Sequence, residues 1–167
     1  MKTIERTHAL HPTKNDLPEN VRAEVTKLLN ERLADAIDLM MQAKQAHWNV
    51  KGPSFIALHE LFDKVYEAAT EYVDLVAERV VQLGGNAHGT VRLAAANSSL
   101  TEYPADLTDA ATHVDLLARA MARFGKSVRA GIEQVQSLGD ADTADILTEI
   151  SRGTDKYLWF VEAHQQK

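Results

Sequence analysis

The sequence predicts an all-α protein, a four-helix bundle with one long crossover between its second and third helices. Three observations carry this prediction. Apolar residues recur at three- and four-residue spacing in four separate stretches, the period of a single buried helical face, and no stretch alternates convincingly as a strand would. Tight polar turns, Lys51-Gly52-Pro53-Ser54 and Gly139 to Asp142, join the first two stretches and the last two. Between these pairs, Gly84 to Pro104 is a long run of Gly, Asn, Ser and Thr, a length uncommon inside a compact domain but suited to a bundle with a crossover.

Residues 1–17 are expected to form a mobile N-terminal tail, because His11-Pro12 and Leu17-Pro18 interrupt any helix and no apolar period is established. The bundle domain is expected to occupy residues 18–167. Pro18 suits a first helical turn, Glu19 complements the dipole there, and Val21, Val25, Leu29, Leu33, Ala36, Met40 and Ala43 trace the buried stripe that leads to His47. Ser54 is the expected cap of a second helix running to about Leu83, where Gly84-Gly85 ends it. Within the crossover, Val91 to Ala96 predicts one or two helical turns. Asp106 or Thr108 is the expected cap of the third long helix, whose stripe runs Val114, Leu117, Met121, Phe124, Val128, Ile132, Val135 and Leu138. The fourth follows through Ile146, Ile150, Tyr157, Leu158 and Val161.

Composition narrows the function. The chain has 167 residues, enough for one domain with a real core. It contains no cysteine, which excludes disulfides, thiolate metal sites and thiol catalysis. The first residues show no apolar leader and no apolar run is long enough to span a bilayer, so a cytoplasmic protein is expected. A formal net charge of −6 argues against a generally basic, nucleic-acid-binding surface and favours cations as small partners.

Two helical pairs of metal-type ligands, His59 with Asp63 and Asp74 with Glu78, share the second helix, and His47 lies just upstream. At about 1.5 Å per residue, Asp63 and Asp74 are roughly 16 Å apart along the axis, too far for one ion. Yet at about 100° per residue both pairs look out from nearly the same face. Two such helices running antiparallel about a two-fold axis would bring His59 and Asp63 of one chain to Asp74 and Glu78 of the other. The same residues read plainly are polar side chains on a solvated face, but carboxylates gathered at a subunit contact repel unless a cation neutralises them. Imidazole with carboxylate suits Fe(II), Zn(II), Mn(II) or Cu(II), and fits iron without selecting it. The intrachain di-iron pattern Glu-x-x-His occurs only at Glu5 to His8, in the expected tail.

At these residues the chain resembles the Dps family, the DNA-binding proteins from starved cells, or mini-ferritins. Lys44-Gln45-Ala46-His47-Trp48-Asn49-Val50-Lys51-Gly52, then Phe55-Ile56-Ala57-Leu58-His59-Glu60 with Asp63, then Asp74-Leu75-Val76-Ala77-Glu78-Arg79, look like the family's two signature regions. Asp142-Thr143-Ala144-Asp145-Ile146-Leu147-Thr148 and Asp155-Lys156-Tyr157-Leu158-Trp159-Phe160 carry the likeness into the fourth helix, over residues 18–164 in all.

The resemblance implies a ferritin-like fold assembled as a hollow homododecamer. It implies ferroxidase centres shared across two-fold interfaces, with His47, His59 and Asp63 from one chain and Asp74 and Glu78 from its mate. Fe(II) would be oxidised with hydrogen peroxide in preference to dioxygen and stored as ferric oxide, protecting DNA from oxidative damage. Trp48, next to a ligand, would donate or trap an electron; its plainer role is an aromatic anchor at the dimer contact. Asp142 and Asp145 would line an ion pore, although helix capping alone accounts for Asp140 and Asp142. DNA binding, and with it nucleoid association, has slight support, since Lys2, Arg6 and Lys14 outweigh Glu5 and Asp16 by a single charge. Two other readings stand beside the ferroxidase: a DNA-compacting architectural protein with an incidental metal site, and a bundle holding a static interfacial zinc.

Overall fold

The computed structural model describes residues 10–166. It contains α1 (Glu19–Asn49), α2 (Phe55–Gln82), α3 (Val91–Asn97), α4 (Ala110–Ser137) and α5 (Ala141–Glu162). Among the described residues there is no strand, only an isolated bridge between Lys51 and Asp109. No helix among them is long and apolar enough to cross a membrane. α1 packs along α2 and α4 along α5, and the two hairpins close on each other through α1 with α4 and α2 with α5. The short α3 rides on α1. Four long helices and a crossover bearing a short one are the architecture the sequence predicts.

The core follows from periodicity. On α2, Leu58, Phe62, Val65, Ala69, Val76 and Val80 fall at helical spacing on one side and are all but removed from solvent. All but Ala69 join Leu29, Leu33 and Ala36 of α1 and Leu117, Phe124 and Ile150 of the second hairpin in one continuous cluster. Burying each large side chain is worth about 1.5–3 kcal/mol, so the two hairpins hold together without any covalent staple.

Polar contacts set the crossover. Asp35, with no exposed surface, accepts the Ser99 backbone N–H at 2.7 Å and pairs with Arg32 at 3.1 Å. One turn on, Asp38 accepts from the Ser98 hydroxyl at 2.5 Å, and Gln42 donates to the Thr101 carbonyl at 3.0 Å. A ladder on α1 therefore fixes where the chain leaves α3. At the opposite side of the loop, the Lys51 N–H donates to the Thr108 carbonyl at 3.0 Å, tying the α1–α2 turn to the approach of α4.

Helix ends depart from expectation in detail. Asp109, rather than Asp106 or Thr108, caps α4 by accepting the Thr112 N–H at 2.8 Å. Ser54 holds the cap position of α2 but makes no side-chain cap bond, and Pro18 is the residue before α1 rather than its first turn. Gly153 is required by packing: the Tyr72 hydroxyl on α2 lies 2.0 Å from where its Cβ would stand.

The expected tail, 1–17, falls in its first nine residues outside the described residues. From Leu10 onward the chain lies against the bundle. His11 N–H donates to the Gly84 carbonyl at 2.7 Å, and the buried Arg22 donates to the carbonyls of Leu17 at 3.1 Å and Leu83 at 2.9 Å. Gly84 has φ +86°, and a Cβ there would come within 2.5 Å of the His11 oxygen. Gly84→Ala is therefore expected to cost about 1–3 kcal/mol through backbone strain and to lift the His11 segment. Thermal unfolding and amide exchange at His11 check this, and parental protection at His11 would disprove the strap.

Candidate metal centre

α1 ends at Asn49 and α2 begins at Phe55, so the turn between them folds the last turn of one helix onto the first turns of the other. His47 and His59 face each other there. Their rings stack with centroids 3.7 Å apart and planes 23° apart. Each ring's Nδ1 lies on the other residue's backbone carbonyl, His47 on His59 at 2.7 Å and His59 on His47 at 2.8 Å. A carbonyl only accepts, so both Nδ1 atoms carry their protons, and Nε2 is the nitrogen of each ring that these bonds leave for a further partner. Two imidazoles held by their Nδ1 edges, so that Nε2 is the edge left for a ligand, are the arrangement that a borderline divalent cation requires of histidine.

Asp63 stands one turn beyond His59. Its carboxylate receives the Lys44 ammonium and lies 3.9 Å from His47 Nδ1. The hydrogen bond from Lys44, reinforced by the charges of His47, Lys44 and His59, holds the Asp63 carboxyl below the ordinary carboxylate range despite an opposing effect of burial. Lys44 also lies over the Tyr66 ring, 4.4 Å from its centroid. The ammonium thus supplies Asp63 with the positive charge that a bound cation would bring.

Asp74 and Glu78 lie further along α2, one turn apart and both exposed. Among the described residues no three metal-type side chains converge to hold an ion. The single chain stacks His47 on His59, sets the Asp63 carboxylate 3.9 Å from His47 Nδ1, and leaves Asp74 and Glu78 further along α2, as the helix rise requires. Trp48 projects from the last turn of α1 with 60% of its surface exposed. Asp142 and Asp145 are exposed at the start of α5, and Asp145 helps line a surface pocket of about 310 Å³ with Gln136, Gly139, Ala141, Ala144 and Thr148.

Sequence reasoning missed the buried polar cluster behind these residues. Arg79, next to Glu78, donates to Asp140 at 2.8 Å and to the Thr143 hydroxyl at 2.8 Å. Asp140 also accepts the Thr143 N–H at 3.0 Å, so it is both the cap of α5 and half of a buried ion pair. The end of α2 that carries Glu78 is thereby pinned to the end of α5 that carries Asp142. An arginine on an otherwise apolar flank of α2 was the available signal, but its partner lies 61 residues away.

The ferritin-like domain family matches residues 26–167. The DNA protection during starvation protein of Agrobacterium fabrum is 46% identical over 157 residues, covering 94% of this chain and 97% of that protein. Among solved structures, DpsC from Streptomyces coelicolor superposes with a TM-score of 0.92 at 29% identity, covering 99% of this chain and 97% of that one. Dps from Microbacterium arborescens, in a high iron form, gives a TM-score of 0.84 at 32% identity over 95% of this chain and 100% of that one. With an all-helical bundle, a family match over residues 26–167 and these relatives in agreement, the chain belongs to the Dps family of ferritin-like proteins.

Proposed function

We propose that this protein is a ferroxidase and iron store. It oxidises Fe(II) to Fe(III), preferentially with hydrogen peroxide, at centres shared between two copies of the chain in a homododecamer, and so protects DNA from oxidative damage. The observation that carries this reading is the reciprocal His47–His59 pair, whose Nδ1 atoms are both engaged by carbonyls, with the Asp63 carboxylate 3.9 Å from His47 Nδ1. Asp74 and Glu78 of a two-fold mate complete the donor set, because their own chain holds them about three helical turns from Asp63.

Iron is the substrate. Two Fe(II) ions give two electrons to one peroxide, and with two protons the products are two Fe(III) and two waters. Paired delivery avoids the single-electron step that liberates hydroxyl radical. Carboxylate oxygens stabilise the ferric product, and Trp48 stands beside the centre as an electron donor when the second metal is slow to arrive. Displacement of Lys44 from Asp63 by a metal ion keeps the Asp63 carboxylate paired with a cation.

Stoichiometric Fe(II) titration of size-fractionated protein, with peroxide and dioxygen compared, tests this. Turnover confined to the assembled fraction and faster with peroxide is expected. Turnover in a monomeric fraction would refute shared centres, and tightly held zinc without turnover would favour the static site.

Asp142 and Asp145 are proposed to focus negative potential where ions enter the cage. Asp142→Asn with Asp145→Asn should slow Fe(II) uptake by about 10-fold at low salt, with the difference shrinking as salt screens it. Stopped-flow uptake at two ionic strengths checks this; equal rates would dismiss the pore. DNA retention is the lesser part of the proposal. Contacts at His11 and Leu17 hold the terminal segment from Leu10 onward, so Lys2 and Arg6 are the basic residues before that anchor.

A further inference from the structure

Tyr103 lies in the crossover just before α4, and His113 lies in the first turn of α4 with no exposed surface. The His113 Nε2 is 3.1 Å from the Leu107 carbonyl, which can only accept, so Nε2 carries the proton and Nδ1 a lone pair. Tyr103 donates its hydroxyl to that Nδ1 at 2.7 Å. The two rings are near parallel, 20° apart with centroids 5.9 Å apart. On the α2 side of His113 stands Phe62, ring centroids 6.3 Å apart, and Phe62 immediately precedes the proposed ligand Asp63.

We propose that Tyr103 and His113 form a redox site that captures one-electron oxidants escaping the metal centre, the phenolic proton moving to His113 Nδ1 as the electron leaves. The proposal rests on the ferroxidase reading for the source of the oxidant, a hydroxyl radical formed when peroxide takes one electron instead of two. Tyr103 loses an electron and the O–H bond breaks; the proton joins His113, leaving a neutral phenoxyl radical and an imidazolium. The hydroxyl radical, with that electron and a proton from water, becomes water. An electron from a further Fe(II) and the proton returned from His113 restore the phenol, leaving Fe(III).

The surroundings favour this chemistry. A half-buried phenol such as Tyr103 is costly to oxidise if its proton stays, because the product is a cation radical in a partly desolvated site. A base already hydrogen-bonded to the phenol removes that obstacle. Burial pushes the Tyr103 phenol up and the His113 imidazole down, so at neutral pH both begin uncharged and the lone pair is available. Once His113 is protonated, the Leu107 carbonyl accepts its other N–H and the Asp109 carboxylate, close enough to act on it electrostatically, offsets its charge.

The test uses the full-length assembled protein, first without iron. Azide radicals from pulse radiolysis serve as the oxidant, and the tyrosyl radical is read optically and by paramagnetic resonance of rapidly frozen samples. Tyr103→Phe is expected to lose most of the tyrosyl signal even though Tyr66, Tyr72 and Tyr157 remain. His113→Gln keeps an acceptor but no base, and is expected to lose the same signal together with its solvent deuterium isotope effect. A tyrosyl signal unchanged in a folded Tyr103→Phe variant overturns the proposal, and should His113→Gln not fold, Tyr103→Phe decides alone. With Fe(II) and peroxide, Tyr103→Phe should release more spin-trapped hydroxyl radical while Fe(II) is oxidised at the parental rate; release equal to the parent's counts against the redox role. If the parent fails to oxidise Fe(II), the ferroxidase reading falls, while the iron-free experiment still judges Tyr103.

Discussion

Replacing both His47 and His59 by alanine is expected to slow peroxide-driven Fe(II) oxidation by about 100-fold or more, given that loss of even supporting residues around a metal costs 10–100-fold. The two side chains are the only histidines on α1 and α2, and their Nδ1 bonds leave Nε2 of each for a ligand. Alanine preserves helix propensity at both positions, and the apolar cluster that closes the bundle holds beside the site through Ala43, Ala46, Leu58 and Phe62. Size-exclusion chromatography should therefore find the variant assembled as the parent is. Rates unchanged in an assembled double variant would remove these residues from the centre. Mixing this variant with one carrying Asp74→Asn and Glu78→Gln gives a sharper version, because an interface pairing the two variants contains one intact centre and one lacking every substituted ligand. Partial recovery on co-assembly is expected if each centre draws on two chains, whereas a centre built within one chain would recover nothing.

The largest stability effect is expected at Arg79. Arg79→Met leaves the Asp140 carboxylate, 1% exposed, without its counter-ion, and breaking a buried pair from one side costs about 3–5 kcal/mol. For a domain of this size that corresponds to a fall in Tm of roughly 10 °C. Methionine fills much of the arginine volume, so the loss reports the stranded charge more than a cavity. Adding Asp140→Asn should recover a large part of it, since the amide still accepts the Thr143 N–H that caps α5. If the single and double variants melt together, the ion pair is not what joins α2 to α5. Because Glu78 adjoins Arg79 and Asp142 lies on the first turn of α5, the single variant is also expected to loosen the relation between the proposed centre and the proposed pore.

Much of the bundle was legible because helical periodicity is a local property. The stripes from Val25 to Ala36 and from Val114 to Val135 announce one buried face each, and glycines at 84 and 139 mark where helices stop. The same arithmetic placed Asp63 and Asp74 on one face but out of reach of a common ion, and the single chain keeps them apart. Caps were harder. Asp106, Thr108 and Asp109 all satisfy the local preference, and the choice among them falls to the Lys51–Thr108 hydrogen bond, which holds the residues before α4 in extended form. That bond joins chain segments more than fifty residues apart, and no local propensity encodes it.

The sequence by itself determined the helices, their lengths, the crossover and the spacing of the proposed ligands, since each depends on residue type and position along one helix. The tertiary structure decided the tautomers of His47, His59 and His113, the pairing of Lys44 with Asp63, and the burial of Arg79 against Asp140. Each of these depends on how one element is rotated against another. A histidine's useful nitrogen is set by whichever carbonyl meets the opposite edge of its ring, and that carbonyl arrives only when the elements pack.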